Sequence, residues 1–210
     1  MSDAMEGKSG PRKELTRRLF LKGVGSSAVA APVLAGAEAL KEAQAEETKI
    51  LGPGLIPIQL AINGEIRKTL AEPRETLLDV LRNRLDITGA KMICDRGSCG
   101  GCTVYIDGKT AYACMMLAVQ AQGKEIVTIE GLTNGDELHP VQEAFIEADA
   151  MQCGFCTPGF VMSMAAIYRE NPSASLEEVK EGIAGHICRC GTYSQIFKAA
   201  ELAKSRLGGK

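Results

Sequence analysis

Tryptophan is absent from the 210 residues, and phenylalanine and tyrosine bring the aromatic content only to 4%. A core built around large aromatic rings is therefore not expected. Basic residues do not outnumber acidic ones: the formal charge is −2, which leaves no electrostatic footprint for nucleic acid. Long apolar runs are missing too. The weakly apolar stretch at 23–37 (GVGSSAVAAPVLAGA) is too short and too mild to span a bilayer. Neither a GxGxxG fingerprint nor a phosphate-binding loop occurs, so the chain is not expected to cradle a dinucleotide itself. The length permits one large domain or two small ones, and a hydrophobic content of 45% is ordinary for a globular fold.

Cysteine is abundant by contrast. All eight cysteines lie between 94 and 190, in two groups of four with tight internal spacing. Four disulfides are the plain alternative for an exported chain. The distribution argues against them: Cys188 and Cys190 are separated by one residue, a poor geometry for pairing with each other. Metal ligation is the better reading.

The first group, Cys94, Cys99, Cys102 and Cys114, has spacings x4, x2 and x11 within CDRGSCGGCTVYIDGKTAYAC. This is the plant-type ferredoxin spacing for a 2Fe–2S cluster, three ligands from one loop and the fourth from a later element. Four thiolates around two ferric ions concentrate negative charge, which backbone N–H groups aimed at the sulfurs offset. Gly97, Gly100 and Gly101 fit that need, because glycine allows close backbone approach and positive φ. Ser98 is a candidate hydroxyl donor, and Arg96 is either solvated or an interface contact.

The second group is Cys153-Gly-Phe-Cys156 and, after 31 intervening residues, Cys188-Arg-Cys190. Each pair precedes an expected helix start, where unpaired N–H groups and partial positive charge suit an anionic cluster. Taken alone, this pattern also fits a structural zinc site with four cysteine ligands. A neighbouring ferredoxin-type group favours a second redox centre and hence a relay.

The chain in order begins with a polar stretch and Thr16-Arg17-Arg18-Leu19-Phe20-Leu21-Lys22, which matches a twin-arginine export signal. Ala-x-Ala cleavage candidates follow at 35–37 and 43–45, the second favoured because a polar EET begins after it. Residues 1–45 are thus expected to be a signal peptide and flexible terminus, with a periplasmic destination and the twin-arginine machinery as a partner. Residues 55–62 alternate and are β-rich, Asn63-Gly64 predicts a tight hairpin turn, and Glu65 to Leu70 a return strand. Thr76 is placed to cap a helix with Leu77, Leu78, Leu81 and Leu85 on its apolar face. Thr103 to Ile106, a turn at Asp107-Gly108, Lys109 to Ala113 and Ile126 to Ile129 complete a β-grasp pattern. After the turn-rich 131–138 the apolar period becomes helical, predicting four helices within 139–207. Pro158 suits a first turn, and Ser175 with Glu178 forms a capping box. The predicted class is α+β: a β-grasp 2Fe–2S domain at 55–131 followed by an all-α four-helix 2Fe–2S domain at 139–207.

CDRGSCGGCTV, MQCGFCTPG and ICRCGTY, at 94–104, 151–159 and 187–193, resemble the iron–sulfur subunit of the xanthine oxidase family of molybdenum hydroxylases. The resemblance covers about 55–207, and three such motifs in this order make it specific. With the export signal added, it is nearest to the periplasmic aldehyde oxidoreductases of that family. The resemblance implies that Cys94, Cys99, Cys102 and Cys114 bind the cluster nearer a flavin. It implies that Cys153, Cys156, Cys188 and Cys190 bind a buried cluster nearer molybdenum. Gln152 and Cys190 are implied to touch the pterin, while a helix-capping role is the plain alternative for Gln152. A molybdenum-cofactor large subunit and an FAD subunit are the implied partners, in a heterotrimer oxidising an aldehyde with water to a carboxylic acid. Purine, N-heterocycle or carbon monoxide oxidation, a free periplasmic carrier, and a zinc or disulfide module are the alternatives. The chain departs from the family at His186, where many relatives carry asparagine.

Overall fold

The computed structural model describes residues 51–133 and 135–208, so the export signal expected at 1–45 lies outside the described residues. Strand β1 (Ile56–Ile62) buries Ile58, Leu60 and Ile62 and exposes Pro57 and Gln59, the alternation of a sheet with one covered face. Asn63 and Gly64 both take positive φ, 52° and 81°, as a two-residue hairpin turn matched to strand twist requires. The chain returns as β2 (Glu65–Ala71), paired from Ile62↔Glu65 to Ile56↔Ala71. Thr76 caps α1 (Leu77–Asp79) through a capping box with Asp79. The helix does not continue as an α-helix through Leu85; it widens into a π-helical turn at Val80–Arg84.

After the first cysteine loop come β3 (Thr103–Ile106) and β4 (Lys109–Tyr112), joined by Asp107-Gly108 with φ of 49° and 78°. Ala113, expected to end β4, instead opens a 3-10 turn that carries Cys114. Strand β5 (Glu125–Val127) inserts parallel to β1 and antiparallel to β3, giving the order β2-β1-β5-β3-β4. This mixed five-stranded sheet, with Leu77, Leu78 and Leu81 in its core beside Leu60, Val104 and Ile126, is a β-grasp lobe.

Four helices follow, as predicted: α2 (Pro140–Glu147), α3 (Thr157–Glu170), α4 (Leu176–Gly182) and α5 (Tyr193–Leu207). Their core holds Phe145, Phe160, Met164, Val179 and Ile196. Each fully buried side chain of this size contributes about 1.5–3 kcal/mol. An amphipathic helix would bury one face, yet every residue of α3 from Pro158 to Ala166 is buried. The reason is its position between the other helices on one side and the sheet on the other.

Strand β3 shows the same arrangement from the sheet's side. Val104 and Ile106 face the β-grasp core, while Tyr105 packs with Met162 and Ala166 of α3. The Tyr105 hydroxyl donates to the Met162 carbonyl at 2.6 Å, and the Arg169 guanidinium lies 4.5 Å from the ring centroid. The molecule is thus of the α+β class, its β-grasp and helical lobes sharing an interface along β3 and α3. Among the described residues no helix is long and apolar enough to cross a membrane.

Candidate functional site

The loop from Cys94 to Cys102 folds against the 3-10 turn that carries Cys114, bringing the first four thiols together. Cys99, Cys102 and Cys114 are buried and Cys94 is half-buried. Backbone donors surround them: Gly97 N–H points to Cys114 Sγ and Ser98 N–H to Cys94 Sγ, each at 3.3 Å. Burial works to raise the Cys94 thiol, but the N–H groups of Arg96, Ser98 and Cys99, with the Cys99 thiol, outweigh it and bring it down to about 7. Burial pushes Cys102 up to about 12, reinforced by the facing Cys114 thiol.

The glycines behave as their chemistry requires. Gly97 and Gly100 hold positive φ, 70° and 73°, and a Cβ on Gly97 would meet Met115 Cγ at 2.9 Å. Ser98 corrects an expectation, since it serves Cys94 through its backbone N–H while its hydroxyl donates to the Arg96 carbonyl. The exposed Arg96 side chain donates to the Cys94 carbonyl at 3.1 Å, bracing the loop.

The second group stands at two helix starts. Cys156 is the N-cap of α3, and Cys188 and Cys190 precede Thr192, the N-cap of α5. Helices α2 and α4 are closed by capping boxes at His139 and Ser175, but α3 and α5 have no side-chain cap. Their first-turn N–H groups are left to the cysteine region. Thr192 directs its hydroxyl to Cys188 Sγ at 3.1 Å, and Tyr193 Oη accepts the Cys188 N–H at 2.9 Å. Burial opposes ionisation of Cys188, yet Thr192, Cys156 and the Gly191 N–H bring it down to about 7. Burial and the facing Cys188 thiol push Cys156 up to about 12. Cys153 and Cys190 are exposed.

The thiols meet in pairs. Cys94 faces Cys99, Cys102 faces Cys114, Cys156 faces Cys188 and Cys153 faces Cys190. A two-iron core takes two thiolates at each iron, which such pairs supply. Thr157 adds a buried hydroxyl without a partner, next in sequence to Cys156. Paired thiols, inward N–H groups and this spare hydroxyl fit a 2Fe–2S cluster in each group.

The two groups are joined directly. Ile187 N–H, next to Cys188, donates to the Cys99 carbonyl at 3.1 Å. Gln152 is exposed beside Cys153, and since α3 lacks a side-chain cap, capping is not its role. Met151, Phe155 and Ile187 expose apolar side chains around the second group, as Met92, Ile93 and Met115 do around the first.

The sequence reading missed the side chains between the groups. His186 is 6% exposed, with Nε2 at 2.9 Å from Ser163 Oγ and 3.2 Å from Thr103 Oγ1. Its departure from the family pattern was visible, but its partners lie on β3 and α3, far away in sequence.

Comparison with known proteins agrees with this geometry. Residues 60–126 match a 2Fe-2S iron-sulfur cluster binding domain, and residues 128–201 match a second 2Fe-2S binding domain. The chain is 38% identical to the aldehyde oxidoreductase iron-sulfur-binding subunit PaoA of Escherichia coli O157:H7, over 98% of this chain and 95% of that protein. It is 43% identical to the nicotine 6-hydroxylase small subunit of Paenarthrobacter nicotinovorans, over 74% of this chain and 93% of the other. Among solved structures, quinoline 2-oxidoreductase from Pseudomonas putida 86 is 40% identical with a TM-score of 0.70. That likeness covers 75% of this chain and 98% of the other.

Proposed function

The chain belongs to the iron–sulfur subunits of the xanthine oxidase family of molybdenum hydroxylases, and on that premise we propose that it carries electrons, not substrate, in a periplasmic aldehyde oxidoreductase. The reaction of the complex is aldehyde and water to carboxylic acid. Cys94, Cys99, Cys102 and Cys114 hold one 2Fe–2S cluster, and Cys153, Cys156, Cys188 and Cys190 hold the other. When bound, the clusters supply one-electron steps between a molybdenum cofactor and FAD, both on partner subunits.

The observation that carries this reading is the Ile187 N–H to Cys99 carbonyl bond, at 3.1 Å, which joins the loop of the first four-thiol group directly to the segment of the second. The protein's own residues do three things there. They present thiols in pairs, aim N–H groups at the sulfurs, and hold the two loops at one separation through the α3–β3 interface. Exposed Gln152, Cys153 and Cys190, ringed by Met151, Phe155 and Ile187, support docking of the large subunit on that side with Gln152 and Cys190 toward the pterin. The exposed Met92, Ile93 and Met115 around the first group support a flavin-subunit contact on the other.

Aldehyde as substrate rests on less. Relatives named for nicotine and quinoline chemistry are as similar as the aldehyde one, at 43% and 40% against 38% identity. The match to PaoA of Escherichia coli O157:H7 extends over 98% of the chain and so spans the N-terminal segment with Arg17-Arg18, while the match to PaoA of Escherichia coli strain K12 covers 74%, as the nicotine relative does. Arg17-Arg18 in that segment, together with the PaoA name, supports an exported aldehyde oxidoreductase and the twin-arginine route.

Purification of the native complex tests the proposal. Two co-eluting larger subunits, about four irons and matching acid-labile sulfide per chain are expected. Fewer than about three irons per chain would exclude two 2Fe–2S clusters. Turnover of purines or N-heterocycles in preference to aldehydes would move the substrate and keep the rest.

A further inference from the structure

His186 lies two residues before Cys188, in the motif of the second cysteine group, yet its ring rests on the loop of the first. A Cβ on Gly100 would stand 2.4 Å from His186 Cδ2, so the ring lies directly against that backbone. The Phe160 ring backs it, with centroids 5.2 Å apart.

The protons around it can be assigned. Thr103 Oγ1 lies 2.6 Å from the Gly100 carbonyl, and its one proton goes there because a carbonyl oxygen only accepts. Its lone pairs then face His186 Nε2 at 3.2 Å, so an attractive contact requires the proton on Nε2. Ser163 Oγ, at 2.9 Å, shares this donor. Nδ1 remains a buried lone pair without a partner. The opposite tautomer would set lone pair against lone pair at Thr103 and bury an unpaired N–H at Nδ1, which is unfavourable.

Beyond Gly100 the chain of bonds continues through a single peptide. The carbonyl belongs to the Gly100–Gly101 amide, and Gly101 lies against the Cys99 sulfur, a Cβ there standing 3.8 Å from Sγ, so that its N–H works against the effect of burial on that thiol. Donation to an amide oxygen polarises the amide and strengthens what its N–H donates. A stronger N–H···S bond offsets thiolate charge and favours the reduced cluster.

We propose that His186 is a positioning residue that tunes the first cluster from the second cluster's lobe, through His186 Nε2–H, Thr103 Oγ–H and the Gly100–Gly101 peptide to Cys99 Sγ. The inference rests on the two-cluster reading above. Its consequence is that the first cluster's potential depends on the second cluster's lobe: packing of the helical lobe on the β-grasp lobe completes a hydrogen-bond chain that raises the potential of the cluster on the outgoing side.

The test is a redox titration, followed by electron paramagnetic resonance, of the loaded full-length chain in its complex. Thr103→Val and His186→Phe should each lower the midpoint potential of the cluster held by Cys94, Cys99, Cys102 and Cys114. The other cluster should stay in place. Thr103→Ser, which keeps the hydroxyl, should restore the wild-type value, and the Thr103→Val/His186→Phe double variant should fall no further than Thr103→Val alone. An unmoved first potential in Thr103→Val, or a shift confined to the second cluster in His186→Phe, overturns the inference. If His186→Phe does not load, Thr103→Val decides alone. A wild-type complex without two cluster signals would overturn the two-cluster reading instead.

Discussion

Gly159 of α3 and Gly100 of the first cysteine loop touch backbone to backbone: a Cβ on Gly159 would lie 2.2 Å from the Gly100 carbonyl oxygen and 2.9 Å from its carbon. Each glycine belongs to the motif of a different cysteine group. The separation of the two groups is therefore fixed by the absence of a side chain at one point.

Gly159→Ala should accordingly push the lobes apart. Backbone atoms cannot rotate out of the way, so the cost should reach or exceed the usual overpacking range of about 1–3 kcal/mol. A fall in melting temperature of several degrees is expected, with weakened magnetic interaction between the two reduced clusters. An unchanged melting temperature would mean that α3 and the loop shift past each other freely.

The contacts that were legible beforehand are local ones. Asn63-Gly64 and Asp107-Gly108 announce their turns because few residues accept positive φ at both positions. Ser175 and Glu178 form their capping box with the Glu178 N–H on Ser175 Oγ at 3.3 Å. The cysteine groups were legible from spacing, because a cluster demands a fixed set of thiols. What lay hidden are contacts across the lobes. Periodicity assumes one inward face, which does not foresee that α3 is buried on every side from Pro158 to Ala166 or that all four residues of β3 are buried. His186 with Thr103 could not be paired from sequence, since nothing local in either segment requires the other.

Tyr105 provides a second hold on the interface, and its contribution should be separable from the clusters. Its hydroxyl is buried, with a pKa pushed up to about 12 by burial despite the nearby Arg169, and it donates to the Met162 carbonyl. Tyr105→Phe keeps the ring beneath Arg169 and removes only that bond, so a loss of about 1 kcal/mol is expected. In a chain of this size that is a fall of about 2–4 °C in melting temperature. Iron content should not change; a loss of iron would mean that the bond supports cluster binding as well as packing.

His139 sets a pH dependence. It caps α2 by accepting the Val141 N–H on Nδ1 at 3.2 Å, which requires the neutral ring. Burial holds its pKa below the ordinary 6.5, so the unfolded chain takes up the proton first as pH falls. Its contribution is complete above 6.5 and is lost as pH falls through the lower folded-state value. His139→Asn, a good cap that does not titrate, should retain stability at pH 8 to within about 1 kcal/mol and flatten the decline below 6.5. Melting curves of both forms across that range decide it; parallel declines would assign the pH effect to other groups.

Metal removal should distinguish the two groups according to what covers them. In this chain Cys99, Cys102 and Cys114 are buried and Cys94 is half-buried, whereas Cys153 and Cys190 stand at the surface. The resemblance implied a buried second cluster. Cys156 and Cys188 are buried and only Cys153 and Cys190 exposed, so on the proposed reading a partner surface completes the cover on that side. A chelator with a mild oxidant, applied to the chain released from its complex, should bleach the cluster of the helical lobe first. Reassembly with the partner subunits should slow that phase by tenfold or more if about 1.4 kcal/mol of protection is added. The β-grasp cluster should change less, because its own loop supplies most of its cover. Equal rates for both clusters, or no protection on reassembly, would place the partner surface elsewhere than around Gln152, Cys153 and Cys190.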